Sequence, residues 1–137
     1  MSNFESVLKL EKLVFDEISF ERKGFRQNNE ASITFSTRVL QSKTDADLHC
    51  VRLKLNSVKK NEYEINICLS GYFSVKLSDG ISQQEVNQLL SKNAVAILMP
   101  YIRSELSLLT AQPETDCVVL PPFNINKMME DAIKENG

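Results

Sequence analysis

His49 and Cys50 are the one place where this 137-residue chain sets an imidazole beside a thiol, the makings of a nucleophile with its general base. No other histidine is present. Both residues open a segment that alternates apolar and polar types, and neighbours along a strand point to opposite faces. They therefore cannot form a dyad on one side of a sheet. Cys50, Cys68 and Cys117 are few, odd in number and far apart, with no CxxC pair, so neither a disulfide framework nor a zinc knuckle is expected. Carboxylates that could serve acid–base chemistry are Asp16–Glu17, Glu30, Asp45 with Asp47, and Glu130–Asp131, and most fall in turns or on polar faces. Gly24, Gly71, Gly80 and Gly137 are too scattered to cradle a phosphate, and no GxGxxG, P-loop, GxSxG or HExxH occurs. The expectation is a protein that is not an enzyme, without catalytic residues, metal or cofactor.

Sixteen basic residues face eighteen acidic ones, for a formal charge of -2. Duplex nucleic acid calls for concentrated basic charge. Here the densest groups, Arg22–Lys23 with Arg26 and Lys59–Lys60, read as solvated turns, so no nucleic-acid partner is expected. No apolar run approaches the roughly 18 residues of a membrane span. The opening Met1-Ser2-Asn3-Phe4-Glu5 lacks the order of a signal peptide. The expected location is cytoplasmic.

The chain reads as one domain of four strands, a long helix, an extended linker and a short helix. In the first strand Leu8, Leu10, Val14, Ile18 and Phe20 alternate with polar residues, while Leu13 and Phe15 break the phase. Arg22 to Glu30 reads as a loop. The second strand runs from about Ala31 to Leu40. The third carries Val51, Leu53 and Leu55 on one face, and Lys59-Lys60-Asn61 turns the chain. The fourth carries Tyr63, Ile65, Ile67 and Leu69, then Phe73, Val75 and Leu77, with Gly71 suggesting a bulge or bend between them. After a turn at Asp79–Gly80, Ser82 and Glu85 form a capping box, with Ile81 and Val86 at staple spacing. The helix is expected from Ser82 to about Thr110, kinked or broken at Pro100. Cys117 to Leu120 is extended. A last helix places Ile125, Met128, Met129, Ala132 and Ile133 on one stripe.

These elements hold more apolar surface than one small domain hides. Leu98, Met99, Tyr101, Ile102, Leu108 and Leu109 cannot share a single helix face, and a layer with two apolar faces points to self-association or a ligand groove.

Several segments resemble one family. Phe15 to Glu21 is similar to the first strand of SecB export chaperones, which ends in Ile-Ser-Phe-Glu. Gly71-Tyr72-Phe73-Ser74-Val75 resembles their Gly-Ile-Phe-Ser-Ile. Asn93 to Arg103 resembles their Asn-Ile-Leu-Phe-Pro-Tyr-Ala-Arg helix, and Leu120 to Ile125 their Leu-Pro-Pro-Val-Asn-Phe. The matches run in order from about residue 9 to 133, and the proline-tyrosine-x-arginine and leucine-proline-proline pieces weigh most.

The resemblance implies an α+β fold of four antiparallel strands and two helices, paired into dimers and then into a dimer-of-dimers homotetramer. It implies a holdase that binds unfolded polypeptide clients in apolar grooves without ATP. Export members hand clients to the SecA motor, and related members guard a labile antitoxin. Carried over by position, the client-binding residues are Tyr63, Tyr101, Leu109, Phe123, Ile125 and Met129, with ordinary core packing as the competing reading of each. Two of the family's SecA-contacting acids match Glu17 and Glu21; the third falls on Asn66, which has no charge. The acidic tail of export members has no counterpart. Client binding is therefore expected, with weak or absent SecA docking. A dedicated partner chaperone for a labile protein such as an antitoxin is the alternative. A small-ligand module with a polar pocket near His49 comes third.

Overall fold

The computed structural model describes residues 8–45, 47–75 and 82–120. Four strands come first: β1 (Leu8–Arg22), β2 (Ala31–Gln41), β3 (Leu48–Lys59) and β4 (Tyr63–Val75). They form one antiparallel sheet in the order β1-β4-β3-β2. β2, β3 and β4 follow as hairpins, while β1 pairs with the last strand. A helical run then lies on the sheet: α1 (Gln83–Leu89), a π-helical stretch (Leu90–Ala94) and α2 (Val95–Thr110). The expected turn at Asp79–Gly80, Leu77, the staple residue Ile81 and the last helix all lie outside the described residues.

β3 and β4 alternate without interruption. Val51, Leu53, Leu55, Ile65, Ile67, Leu69 and Phe73 are wholly buried on the face toward the helix. Between these strands the Glu62 N–H donates to the Lys59 carbonyl at 2.9 Å, and Asn61 takes φ 63°, a left-handed conformation that asparagine tolerates.

β1 departs from the expected alternation for a definite reason. Leu10 faces Phe73 but Lys12 faces Tyr72, and Phe15 faces Leu69 but Glu17 faces Cys68. Glu11 and Asp16 are the extra residues of two β-bulges, and each reverses the phase. As a result Leu8, Leu10, Leu13, Phe15, Ile18 and Phe20 all lie opposite inward residues of β4, whereas Val14 lies opposite Ser70 on the outer face. The phase break at Leu13 and Phe15 is thus what keeps one apolar face, and Val14 does not belong to it.

Of the bulge or bend expected at Gly71, the bulge is not there. β4 runs through it in register with Val51 of β3, and the irregularities sit on β1 instead. A Cβ at Gly71 would come 2.7 Å from the Phe73 ring and 2.8 Å from a Leu98 methyl. The glycine gives the space in which the helix meets the sheet.

Pro100 does not break the helix into two, since it sits inside continuous α2. The irregularity is the π stretch before it. Val86, Leu90, Ala94, Leu98, Ile102, Leu106 and Thr110 are buried at a constant spacing of four. Each four-residue step advances an α-helix by about 40° beyond a full turn, so such a stripe would wind off the sheet. The wider π turn sets the phase back once, and Val95 and Met99 broaden the buried face along α2. At the start, the Glu85 N–H donates to Ser82 Oγ at 3.2 Å, as the capping box requires.

Candidate functional site

The opposite side of the helix is also apolar. Ile97, Tyr101 and Leu108 fall at i, i+4 and i+11 and face outward, with Tyr101 44% and Leu108 70% exposed. Beside Leu108 runs the extended segment 117–120. Ser107 Oγ donates to the Val118 carbonyl (2.9 Å), Arg103 Nε to the Leu120 carbonyl (3.2 Å), and the Val118 N–H to Thr110 Oγ1 (2.8 Å). These contacts lace the segment along α2 through its main chain. Leu120 turns into the core and Val119 faces out, 73% exposed. Between helix and segment lies a groove of about 640 Å³, whose lining includes Pro100, Ser104, Leu108 and Val119.

A polar clamp holds the near end of that segment. The Arg22 guanidinium donates to Thr115 Oγ1 at 2.6 Å and to the Glu114 carbonyl at 3.2 Å. Arg26 pairs with Asp116 at 3.4 Å, and Lys59 pairs with Asp116 at 3.1 Å and with Glu62 at 3.4 Å. Desolvation pushes the Glu62 carboxyl up. The Gln27 amide, the Lys59 cation and the Asn29 amide outweigh it and hold the group below its ordinary range. Desolvation lowers Lys59, but its bond to Asp116 and the Glu62 charge outweigh it, and the ammonium titrates above the ordinary lysine value. The clamp joins the β1–β2 loop, the β3–β4 turn and the helix exit at one end of the sheet.

The outer face of the sheet is polar. Glu17 and Glu21 are exposed there on β1, across from Cys68 and Glu64. Asn66 lies beside them, and Asn56 Nδ2 donates to its Oδ1 at 2.8 Å. The bulge residues also reach this face: Glu11 accepts from Ser74 Oγ (2.8 Å), and Asp16 accepts from Ser70 Oγ. His49 and Cys50 take opposite faces, with His49 buried across from Phe73 and Cys50 across from Tyr72. Burial and then the Asp16 charge push the Cys68 thiol up, away from a reactive thiolate. Among the described residues no three His, Cys, Asp or Glu side chains gather as metal ligands, and no helix is long and apolar enough to cross a membrane.

The profile of the family described as "Preprotein translocase subunit SecB" matches residues 2–136. The chain belongs to the SecB family. An uncharacterized protein of Methanocaldococcus jannaschii is 25% identical over 138 residues, 95% of this chain and 84% of that one. Among solved structures, the Rv1957 SecB-like chaperone of Mycobacterium tuberculosis, in complex with a ChAD peptide from the Rv1956 HigA1 antitoxin, superposes with a TM-score of 0.73. It covers 88% of this chain and 93% of that one at 13% identity, so the likeness is one of fold.

In this SecB-family protein the residues singled out from sequence have separate placements. Tyr101 is on the outward stripe. Leu109, half-buried, packs on the core. Tyr63 is 2% exposed; its ring lies 5.4 Å from that of Phe20, and burial pushes its hydroxyl up. Ser57 is close enough to affect that ionisation, yet neither hydroxyl reaches hydrogen-bonding geometry. The exposure expected of a client contact is present at Tyr101 and absent at Tyr63. Phe123, Ile125 and Met129 lie outside the described residues. Val119 and the lacing trio Arg103, Ser107 and Thr110 were not singled out. Their signal was the i, i+4, i+7 spacing of polar side chains beside an apolar extended stretch.

Proposed function

We propose that this protein is an ATP-independent holdase chaperone that binds unfolded polypeptides along the outward face of α2 and the groove beside segment 117–120. The observation that carries the reading is the exposed stripe Ile97, Tyr101, Leu108 beside a groove lined by Leu108 and Val119, in a member of the SecB family. Apolar burial is non-directional, at about 25 cal/mol per Å², so such a surface accepts many sequences. Tyr101 serves as the anchor, with Leu109 at its flank and Phe123, Ile125 and Met129 continuing the surface. Tyr63 supports it from the core. The working particle is a cytoplasmic homotetramer, a dimer of dimers that shields part of the outward helix face. Preprotein clients would be kept export-competent.

Two observations favour a second destination, a dedicated partner such as an antitoxin. The M. tuberculosis relative in fold was solved with an antitoxin peptide. On the outer face Glu17 and Glu21 remain as candidate SecA contacts, but Asn66 is neutral and held by Asn56.

The test is suppression of aggregation of a chemically unfolded model protein without nucleotide, followed by light scattering. Capture by the wild type, weakened at least tenfold in Tyr101→Ala and Phe123→Ala with folding intact, supports the reading. No capture at any ratio ends it. Tight, salt-sensitive binding to SecA by calorimetry would overturn the weak-docking part.

A further inference from the structure

The outer face of the sheet is divided by charge along its length. On the β2/β3 half the outward residues include Arg38, Arg52 and Lys54 and no carboxylate. On the β1/β4 half they include Glu11, Asp16, Glu17, Glu21 and Glu64 against Lys9 and Lys12. Arg38 stands directly across from Arg52, and like charges in that position repel. Arg52 has partial relief from Asp16 at 3.7 Å. Arg38 and Lys54, both exposed, have no carboxylate within ion-pair distance among the described residues.

We propose that this face docks on the same face of a second copy of the chain, about a two-fold axis parallel to the strands. That orientation is dictated by the charge pattern. An in-plane axis across the strands would lay acid on acid and base on base. An axis along them exchanges the halves, so that β2 of one copy lies over β1 of the other. The rows then also agree. In the sheet register Arg38 and Arg52 share a row with Ser70 and Val14, and Lys54 shares the next with Cys68 and Glu17, with Asp16 between them on β1. Arg38 of one copy therefore comes over Asp16 and Glu17 of the other, twice per contact. Aligned strands are also an ordinary geometry for packed sheets.

The available area is adequate. Four strands spaced by about 4.8 Å and some 12 residues long give a face of about 600 Å² per copy, on the order of 1,200 Å² in total, at the low end of specific interfaces. With polar chemistry and screened charges, such a contact is reversible and salt-dependent. It leaves the outward helix stripe free, so it joins particles without closing the client surface. It covers Glu17 and Glu21, so it excludes any partner that needs them.

Sedimentation velocity at about 20 mM and about 500 mM salt tests this. The native particle is expected to associate into multiples of its own mass at low salt and return to the single particle at high salt. Arg38→Glu and Glu17→Lys, both on exposed edge-strand positions, should each abolish this association, and the two together should restore it. Melting curves confirm that each variant is folded. Client capture by Arg38→Glu should be unchanged, which separates this proposal from the holdase reading. A mass independent of salt, or failure of the double exchange to restore association, overturns it. So does binding of polyglutamate to the basic half with no self-association, which would assign that half to a foreign acidic partner.

Discussion

The two sides of the long helix are both apolar, and they have opposite fates. The inward stripe repeats every four residues and is buried against a sheet face that is equally apolar. The outward stripe repeats more loosely, at Ile97, Tyr101 and Leu108, and meets a groove rather than a core. Composition does not separate them. What separates them is what stands opposite. The inward side has Ile67, Leu69 and Phe73, with Gly71 cut back to let Leu98 in. Among the described residues, the outward side has the laced segment 117–120. One apolar surface serves folding and the other stays exposed.

Truncating the inward stripe should have the largest effect. Ile102→Ala removes a wholly buried side chain and leaves a cavity, at a cost of about 2–5 kcal/mol in folding stability. Denaturant unfolding would check it; a loss within error would mean that the stripe is not the core. Gly71→Ala acts on the same interface from the sheet side. The added methyl meets Phe73 and Leu98, and overpacking of this kind costs about 1–3 kcal/mol. Here the expected readout is a lowered melting temperature with the outward surface untouched, and an unchanged melt would show that the helix can lift freely.

Tyr101→Ala should reverse the pattern. Client affinity is expected to fall at least tenfold, about 1.4 kcal/mol, while the melting temperature moves by only a few degrees. If the variant unfolds or dissociates first, the outward stripe is core or subunit interface.

The clamp gives the smallest expected effect, read through pH. Glu62 titrates below its unfolded value, so its contribution is complete above the ordinary carboxylate pKa and is lost as pH falls through the depressed one. Lys59 titrates above its unfolded value, so its contribution is complete below the ordinary lysine pKa and is lost as pH rises through the elevated one. A plateau in melting temperature between these limits is expected, and Glu62→Gln should flatten its acid edge. An acid edge identical in wild type and variant would remove Glu62 from the linkage.

Much of this architecture could be read from residue order, because period-two and helical spacing are local. β3 and β4 are plain alternation, and the Ser82–Glu85 cap is contained in four residues. What escaped depends on distance. Leu13 and Phe15 showed a break in phase, but only the register with β4 reveals two bulges. Gly71 permits either a bulge or a close approach, and Leu98 decides between them. The π turn at Leu90–Ala94 left no such local mark, since the spacing of four continues through the regular helix after it. Tyr63 and Tyr101 are the same residue type, and nothing local says that one is core and the other surface. The clamp was invisible because Arg22 and the Lys59–Glu62 turn meet Thr115 and Asp116 only in space.

The bulges of β1 also bear on time. Among the described strands β1 is made first, yet its partner in the sheet, β4, is the last of them to be made. Until β4 emerges, a growing chain carries a long, apolar, unpaired strand, the kind of segment that recruits neighbours edge to edge. Glu11 and Asp16 interrupt the even spacing that a foreign strand would need and place a carboxylate at each interruption. Only β4 presents the matching register, with Ser74 and Ser70 set to receive them. In this member of the SecB family, the same two residues would guard the chain's own synthesis.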